Sequence, residues 1–251
     1  FMTYEKLDSV IRHAPDWLSQ IGLVCIDEIH EIDSDRGATL EVLITQLRHN
    51  YPDIVFLGLS ATIGNPQALS KWPGSVLVKS NYRPIPLDIG IAYQNTIYFE
   101  SGKKELEVTS KEDYLGALVE DVLKIGKQAI VFCNSRSNTM SFSAKYKLLV
   151  KKYLSEKEKE TLRQKAKEIG GALESPTKQC LALYSCVLDG TAFHHAGLVY
   201  KQRQVIEEEF RKGNIKVIFA TPTLAAGINL PAYRVIITTV YRFSNGSMVL
   251  I

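Results

Sequence analysis

Six short runs of mostly apolar, β-branched residues punctuate the 251-residue chain: LVCI (23–26), IVFLGL (54–59), AIVFC (129–133), TAFHH (191–195), KVIFA (216–220) and RVIITT (234–239). Their apolar residues run on rather than alternate, the pattern of strands buried on both faces of a parallel sheet. The stretches between them carry helical spacing. Leu40, Leu43, Ile44 and Leu47 fall at i, i+3, i+4 and i+7, one apolar stripe. Leu115, Leu118, Val119 and Val122 repeat the pattern, with Ser110 as the expected N-cap and Asp113 three residues on. Val199, Ile206 and Phe210 make a third stripe on a charged helix that should end near Gly213. Alternation of this kind implies an α/β fold of βαβ units with right-handed crossovers, mostly parallel sheets flanked by helices.

At ~150 residues per domain the length corresponds to roughly 1.7 domains. The break is expected at NYRPIPLDIG (81–90), where Pro84 and Pro86 remove donors and force extended backbone. Residues 1–81 then read as the C-terminal part of a first domain, 82–94 as a linker, and 95–251 as most of a second. The first residue is Phe1 and the last run is MVLI, which reads as a piece of a longer protein. No internal repeat of solenoid period is visible.

Composition narrows the class. Hydrophobic residues at 45% and charged residues at 23% exclude a disordered, collagenous or purely coiled-coil chain. A formal charge of +3 is too mild to argue by itself for a polyanion partner. Apolar stretches such as Ile54 to Leu59 fall far short of the ~18 residues of a membrane span, and FMTYEKLDSV lacks the apolar core of a signal peptide. Cys25, Cys133, Cys180 and Cys186 form no C-x-x-C pair. Cys25 and Cys133 lie inside apolar runs and are expected to be buried free thiols, which points to a reduced, cytoplasmic setting. Residues 145–170 carry nine Lys/Arg against four Glu. They read as a solvated helical hairpin with Leu162, Ala166 and Ile169 inside; a basic patch near nucleic acid is the alternative.

The segment richest in chemistry is Leu23-Val24-Cys25-Ile26-Asp27-Glu28-Ile29-His30. An apolar strand ending in two carboxylates places them at the carboxyl edge of the sheet, where open α/β folds bind ligands. There Asp27 suits holding Mg²⁺ through its water shell on nucleotide phosphates, and Glu28 suits polarising an attacking water. Asp-Glu pairs also occur at plain strand exits, and the signal gains weight from Ser60-Ala61-Thr62 at the end of the next strand. Adjacent parallel strands would bring that tripeptide beside His30, so that hydroxyls and imidazole share a hydrogen-bond network. Thr221-Pro222-Thr223 follows the run KVIFA, a helix start whose hydroxyls suit phosphate contacts. His194 and His195, being adjacent on a strand, should face opposite ways; a shared metal is not expected, and one ring should be core.

DEIH followed by SAT resembles motifs II and III of superfamily-two helicases. TYEKLDS (3–9) resembles their motif Ib and VFCNSR (131–136) their motif IV. AFHHAGL (192–198) and ATPTLAAGINLPA (220–232) resemble the Ski-type branch and its motif V, and NYRPIPL resembles that branch's linker. Within the branch the chain is most similar to the archaeal Holliday-junction-migration DNA helicases, related to the helicase domain of polymerase theta. The resemblance implies parts of two RecA-like domains, ATP and Mg²⁺ as cofactors, and single-stranded or forked DNA as partner, with no membrane.

It further implies that Asp27 binds Mg²⁺ through water, Glu28 is the general base, His30 belongs with them to the catalytic group, and Ser60 and Thr62 couple the nucleotide site to the strand-handling surface. Thr3, Lys6, Asn134, Ser135, Arg136, Thr221 and Thr223 would line the single-strand path, and Gly227 and Asn229 would approach the nucleotide from the second domain. The activity implied is 3′ to 5′ translocation and unwinding driven by ATP hydrolysis, in repair or recombination. An RNA helicase of the same branch and a nucleotide-insensitive nucleic-acid clamp are the rivals. The phosphate-cradling G-x-x-x-x-G-K-[ST] is not among these residues, nor are the family's arginine-rich motif VI and its winged-helix and ratchet domains. The isolated polypeptide is therefore expected to be an inactive part of a motor.

Overall fold

A computed structural model describes residues 1–13, 15–34, 37–61, 63–106, 113–224, 230–244 and 247–250, with backbone only for 242–250. These divide into two compact units, Phe1–Pro86 and Leu87–Ile251.

The first unit runs α1 (Tyr4–His13), β1 (Leu23–Ile26), α2 (Gly37–Asn50), β2 (Val55–Gly58) and α3 (Pro66–Lys71). Thr3 starts α1, its hydroxyl accepting the Lys6 N–H at 3.3 Å. Asn65 starts α3 by accepting the Ala68 N–H at 3.1 Å, with Pro66 in the first position, where no donor is needed. β1 and β2 pair in parallel, Leu23 opposite Val55 and Ile26 opposite Gly58.

Val24, Ile26 and Phe56 turn to the core made by Ile11, Leu18, Leu40, Leu43, Ile44 and Leu47. The opposite residues, Leu23, Cys25, Val55 and Leu57, are exposed, Val55 at 63%. Burial on both faces and a buried Cys25 are therefore corrected here. Strand side chains alternate, and among the described residues the helices of this unit cover one face of its two strands.

The second unit opens with an antiparallel meander, β3 (Gly90–Tyr93), β4 (Thr96–Phe99) and β5 (Gly102–Glu105). β3 falls within residues that read as linker, and none of the three strands was visible as an apolar run. Then come α4 (Tyr114–Lys124), β6 (Ala129–Phe132), α5 (Arg136–Lys151), α6 (Glu156–Gly170), α7 (Lys178–Leu188), β7 (Thr191–His194), α8 (Tyr200–Arg211), β8 (Val217–Ala220), β9 (Arg234–Ile237) and the hairpin β10 (Tyr241–Ser244) with β11 (Ser247–Leu250). The central sheet is parallel throughout, in the order β7-β8-β6-β9.

Here β6, β7 and β8 are buried on both faces, whereas the edge strand β9 buries Ile236 and leaves Val235 and Ile237 exposed, so burial on both faces is corrected for that run. Ile130, Ile218 and Ala220 face Leu162, Ala166, Ile169, Leu183, Ile206 and Phe210 of α6, α7 and α8. Val131, Val217 and Phe219 face Val119, Leu123, Tyr146 and Val150 of α4 and α5, joined by Ile97 of β4 and by Leu106. The meander is tied down by Asp121, whose carboxylate accepts from Lys104 and Arg234, each at 2.7 Å.

The N-cap of α4 is Asp113, which accepts the Gly116 N–H at 3.2 Å; Ser110 lies outside the described residues. Residues 145–170 span the end of α5 and all of α6, and Leu162, Ala166 and Ile169 are fully buried. Their cations are largely met by carboxylates: Lys145 by Asp113, Lys151 by Asp189, Lys159 by Glu156, Arg163 by Glu160 and Lys165 by Glu168. That favours a solvated helical surface over a free basic patch. No described helix is long and apolar enough to cross a membrane.

Candidate functional site

In the first unit the hydrogen-bond ladder continues past the strands. The Leu59 N–H donates to the Ile26 carbonyl at 2.8 Å, and the Ile29 N–H to the Leu59 carbonyl at 2.9 Å. This zip carries Asp27, Glu28 and His30 to the same edge as Ser60. Gly58 leaves room for the Ile29 side chain here: a Cβ there would meet Ile29 Cδ1 at 2.9 Å.

Asp27 is exposed, and its Oδ1 accepts the Glu28 N–H at 2.9 Å. The Asp27 carbonyl accepts from the Tyr4 hydroxyl, which ties α1 to the strand exit. Glu28 has left-handed backbone, φ 52° and ψ 44°, an uncommon conformation for a residue with a Cβ. It caps the 3-10 turn Ile29–Asp33, which points His30 back across the edge. Nδ1 of His30 lies 3.3 Å from Glu28 Oε2 and 3.3 Å from Ser60 Oγ. The structure thus brings Asp27, Glu28, His30 and Ser60 together; Thr62 lies outside the described residues.

Thr3 stands just before α1 and Lys6 in its first turn, the Thr3 hydroxyl engaged by the Lys6 N–H and the Lys6 side chain exposed.

In the second unit the candidate residues leave the carboxyl ends of neighbouring parallel strands. Asn134, Ser135 and Arg136 follow β6, and Thr221 to Thr223 follow β8, with the Thr221 N–H donating to the His194 carbonyl at 3.1 Å. Ser135 is the N-cap of α5, accepting from the Asn138 N–H at 3.1 Å, and Asn134 Oδ1 accepts from the Asn138 side-chain amide at 2.7 Å. Arg136 is exposed at the first position of α5. Thr221 and Thr223 join hydroxyls at 2.8 Å around the 3-10 turn Pro222–Leu224. Gly227 and Asn229 lie outside the described residues.

His194, the last residue of β7, and His195 just after it are both buried, where one core ring was expected. His194 Nε2 and Glu207 Oε1 are 3.0 Å apart. Burial keeps the His194 pKa low against the pull of Glu207, and burial with the Arg136 cation keeps His195 low. Sequence reading missed Tyr4, because an apolar-patterned helix gives no sign of a hydroxyl aimed at another strand. It also missed Gln179, whose Nε2 donates to the Gly197 carbonyl at 3.2 Å.

Two family models match the chain: "DEAD/DEAH box helicase" over residues 1–69 and "Helicase conserved C-terminal domain" over residues 175–249. Curated relatives named "ATP-dependent DNA helicase Hel308" are 42% identical in Methanococcus vannielii over 98% of this chain, and 44% identical in Pyrococcus abyssi over 98%. A third, from Methanocaldococcus jannaschii, is 44% identical over 90% of the chain. The chain spans 33% of the first two proteins and 19% of the third. Each unit of the chain thus matches a helicase family model, and nearly its whole length is similar to archaeal proteins named ATP-dependent DNA helicases.

Proposed function

We propose that the chain is part of an ATP-dependent DNA helicase that moves 3′ to 5′ along one strand in repair or recombination. The observation that carries the reading is the cluster of Asp27, Glu28, His30 and Ser60 at one sheet edge, in a chain whose relatives are named ATP-dependent DNA helicases. In this reading residues 1–81 and 95–251 are parts of two RecA-like domains joined by residues 82–94.

The Asp27 carboxylate fits the expected Mg²⁺. It is exposed, its Oδ1 is oriented by the Glu28 N–H at 2.9 Å, and oxygen donors suit this hard cation. No group of three His, Cys, Asp or Glu able to hold a metal alone occurs among the described residues, which accords with an ion held jointly by one carboxylate, water and phosphates. When bound, the ion neutralises charge on the nucleotide phosphates. Glu28 accepts the proton of the attacking water. His30 holds the Glu28 carboxylate on one side and meets Ser60 on the other, so the nucleotide edge is tied to the neighbouring strand exit. Thr62, Gly227 and Asn229 complete the nucleotide side, while Thr3, Lys6, Asn134, Ser135, Arg136, Thr221 and Thr223 contact strand phosphates.

Strand displacement by the full-length protein on DNA and RNA duplexes in parallel tests the reading. ATP-dependent opening of DNA from a 3′ overhang is expected. Preference for RNA would make it an RNA helicase, and strand binding without hydrolysis would make it a clamp.

A further inference from the structure

The Arg136 guanidinium lies beside a loop that is far from it in sequence. It is exposed, and no carboxylate among the described residues pairs with it. Its Nη1 stands 3.4 Å from the point that a Cβ on Gly197 would occupy. The same point is 3.1 Å from Nδ1 and 3.2 Å from Cε1 of His195. Gly197 is therefore a bare floor beside both the His195 imidazole and the Arg136 guanidinium.

Both ends of that floor are clamped. The Gly197 N–H donates to His195 Nδ1 at 3.1 Å, and the Gly197 carbonyl accepts from Gln179 Nε2 at 3.2 Å, from the first turn of α7. The His195 ring cannot drift: it is 1% exposed and stacks on Phe193 at 5.6 Å and 13°. Because Nδ1 accepts, a neutral ring carries its proton on Nε2, which is buried without a partner among the described residues. A charged ring would set two cations against one another, and burial together with Arg136 keeps His195 neutral.

We infer that His195, Gly197 and Gln179 are positioning residues that seat the Arg136 guanidinium against a nucleic-acid phosphate. Three residues from two other elements thereby aim one cation. The inference rests on the reading above that Arg136 contacts the strand. An unpaired arginine loses side-chain entropy on binding a phosphate, and a preformed seat reduces that loss.

The test is binding of fluorescent oligothymidylate to the full-length protein over a salt series. Gly197→Ala is expected to weaken binding several-fold, as Arg136→Ala does, and to lower the slope of log affinity against log salt by about one contact. In an Arg136→Ala background Gly197→Ala should add nothing, which a general structural defect would not reproduce. His195→Asn, whose Oδ1 can accept the Gly197 N–H in place of Nδ1, should bind nearly as wild type, whereas His195→Leu should not. If Arg136→Ala weakens binding while Gly197→Ala does not, or if the two effects add, the positioning inference is overturned and the phosphate contact stands. If Arg136→Ala changes nothing, both fall. Gly197 is exposed, so its variant decides the matter even where His195→Leu fails to fold.

Discussion

Glu28 and Ser60 meet at a single atom: each places an oxygen 3.3 Å from Nδ1 of His30. With a proton on Nδ1 the ring donates toward both oxygens. Without it, the ring accepts from Ser60 and turns a lone pair toward the carboxylate. Ser60 can therefore bias the orientation of Glu28 without touching the nucleotide.

Ser60→Ala should accordingly spare hydrolysis and harm unwinding, while His30→Ala should lower both. ATP turnover and strand displacement measured on the same full-length preparations separate the two. Equal loss of both activities in Ser60→Ala would show that the hydroxyl has no coupling role.

The two adjacent carboxylates should part company on substitution. Glu28→Gln removes the proton acceptor but keeps size and hydrogen-bonding shape, so turnover should fall ~10²–10⁴-fold with ATP affinity retained. Asp27→Asn should also weaken Mg²⁺-dependent nucleotide binding. Equilibrium nucleotide titration beside a hydrolysis assay gives the contrast; near-normal unwinding by Glu28→Gln would sink the assignment of the base.

Lys6, exposed in the first turn of α1, should act through charge alone. Lys6→Ala is expected to weaken single-strand binding equally across sequences and to reduce the salt slope by about one. Affinity that does not change with salt would contradict the phosphate-contact model.

Asp113 gives the second unit a pH signature at both ends. Burial alone would raise its carboxyl pKa, but hydrogen bonds from Tyr146 at 2.5 Å, the Gly116 N–H and Lys145 outweigh it and hold the pKa below the ordinary value. Its stabilisation is present above the unfolded pKa and is lost as pH falls through the folded one. The Tyr146 phenol is pushed up to about 12 by burial and by Asp113, so its contribution is full below the unfolded pKa of ~10 and is lost as pH rises through the folded value. Thermal melting of the wild type should fall at both extremes. Tyr146→Phe should flatten the alkaline fall, and Asp113→Ala should cost about 1 kcal/mol at neutral pH as a lost N-cap. An unchanged alkaline limb in Tyr146→Phe would remove the phenol from this account.

The apolar runs that form β1, β2 and β6 to β9 were legible because parallel strands advertise themselves by unbroken hydrophobicity. The meander was not, because it buries residues such as Ile97 on one side and presents Lys103 and Glu105 on the other, and a proline-rich approach masks its first strand. Cys25 misled for a related reason: a run uniform in hydrophobicity does not say which parity faces the core. DEIH and SAT marked the sheet-edge candidates through their place after two apolar runs and through their resemblance to helicase motifs. The closeness of Arg136 to Gly197 could not be read, since one follows β6 and the other follows β7, far apart in sequence and brought near only by the sheet order β7-β8-β6.

The left-handed backbone at Glu28 separates durability from turnover. A residue with a Cβ held there costs on the order of 1 kcal/mol, which glycine avoids. Glu28→Gly would keep the main-chain donor that reaches Asp27, relieve the local conformation and discard the carboxylate. Such a protein should melt no lower than its parent while hydrolysing almost nothing. Screening variants for heat tolerance alone would thus steer toward a well-folded, inert motor, and only a screen that also demands turnover would retain the glutamate.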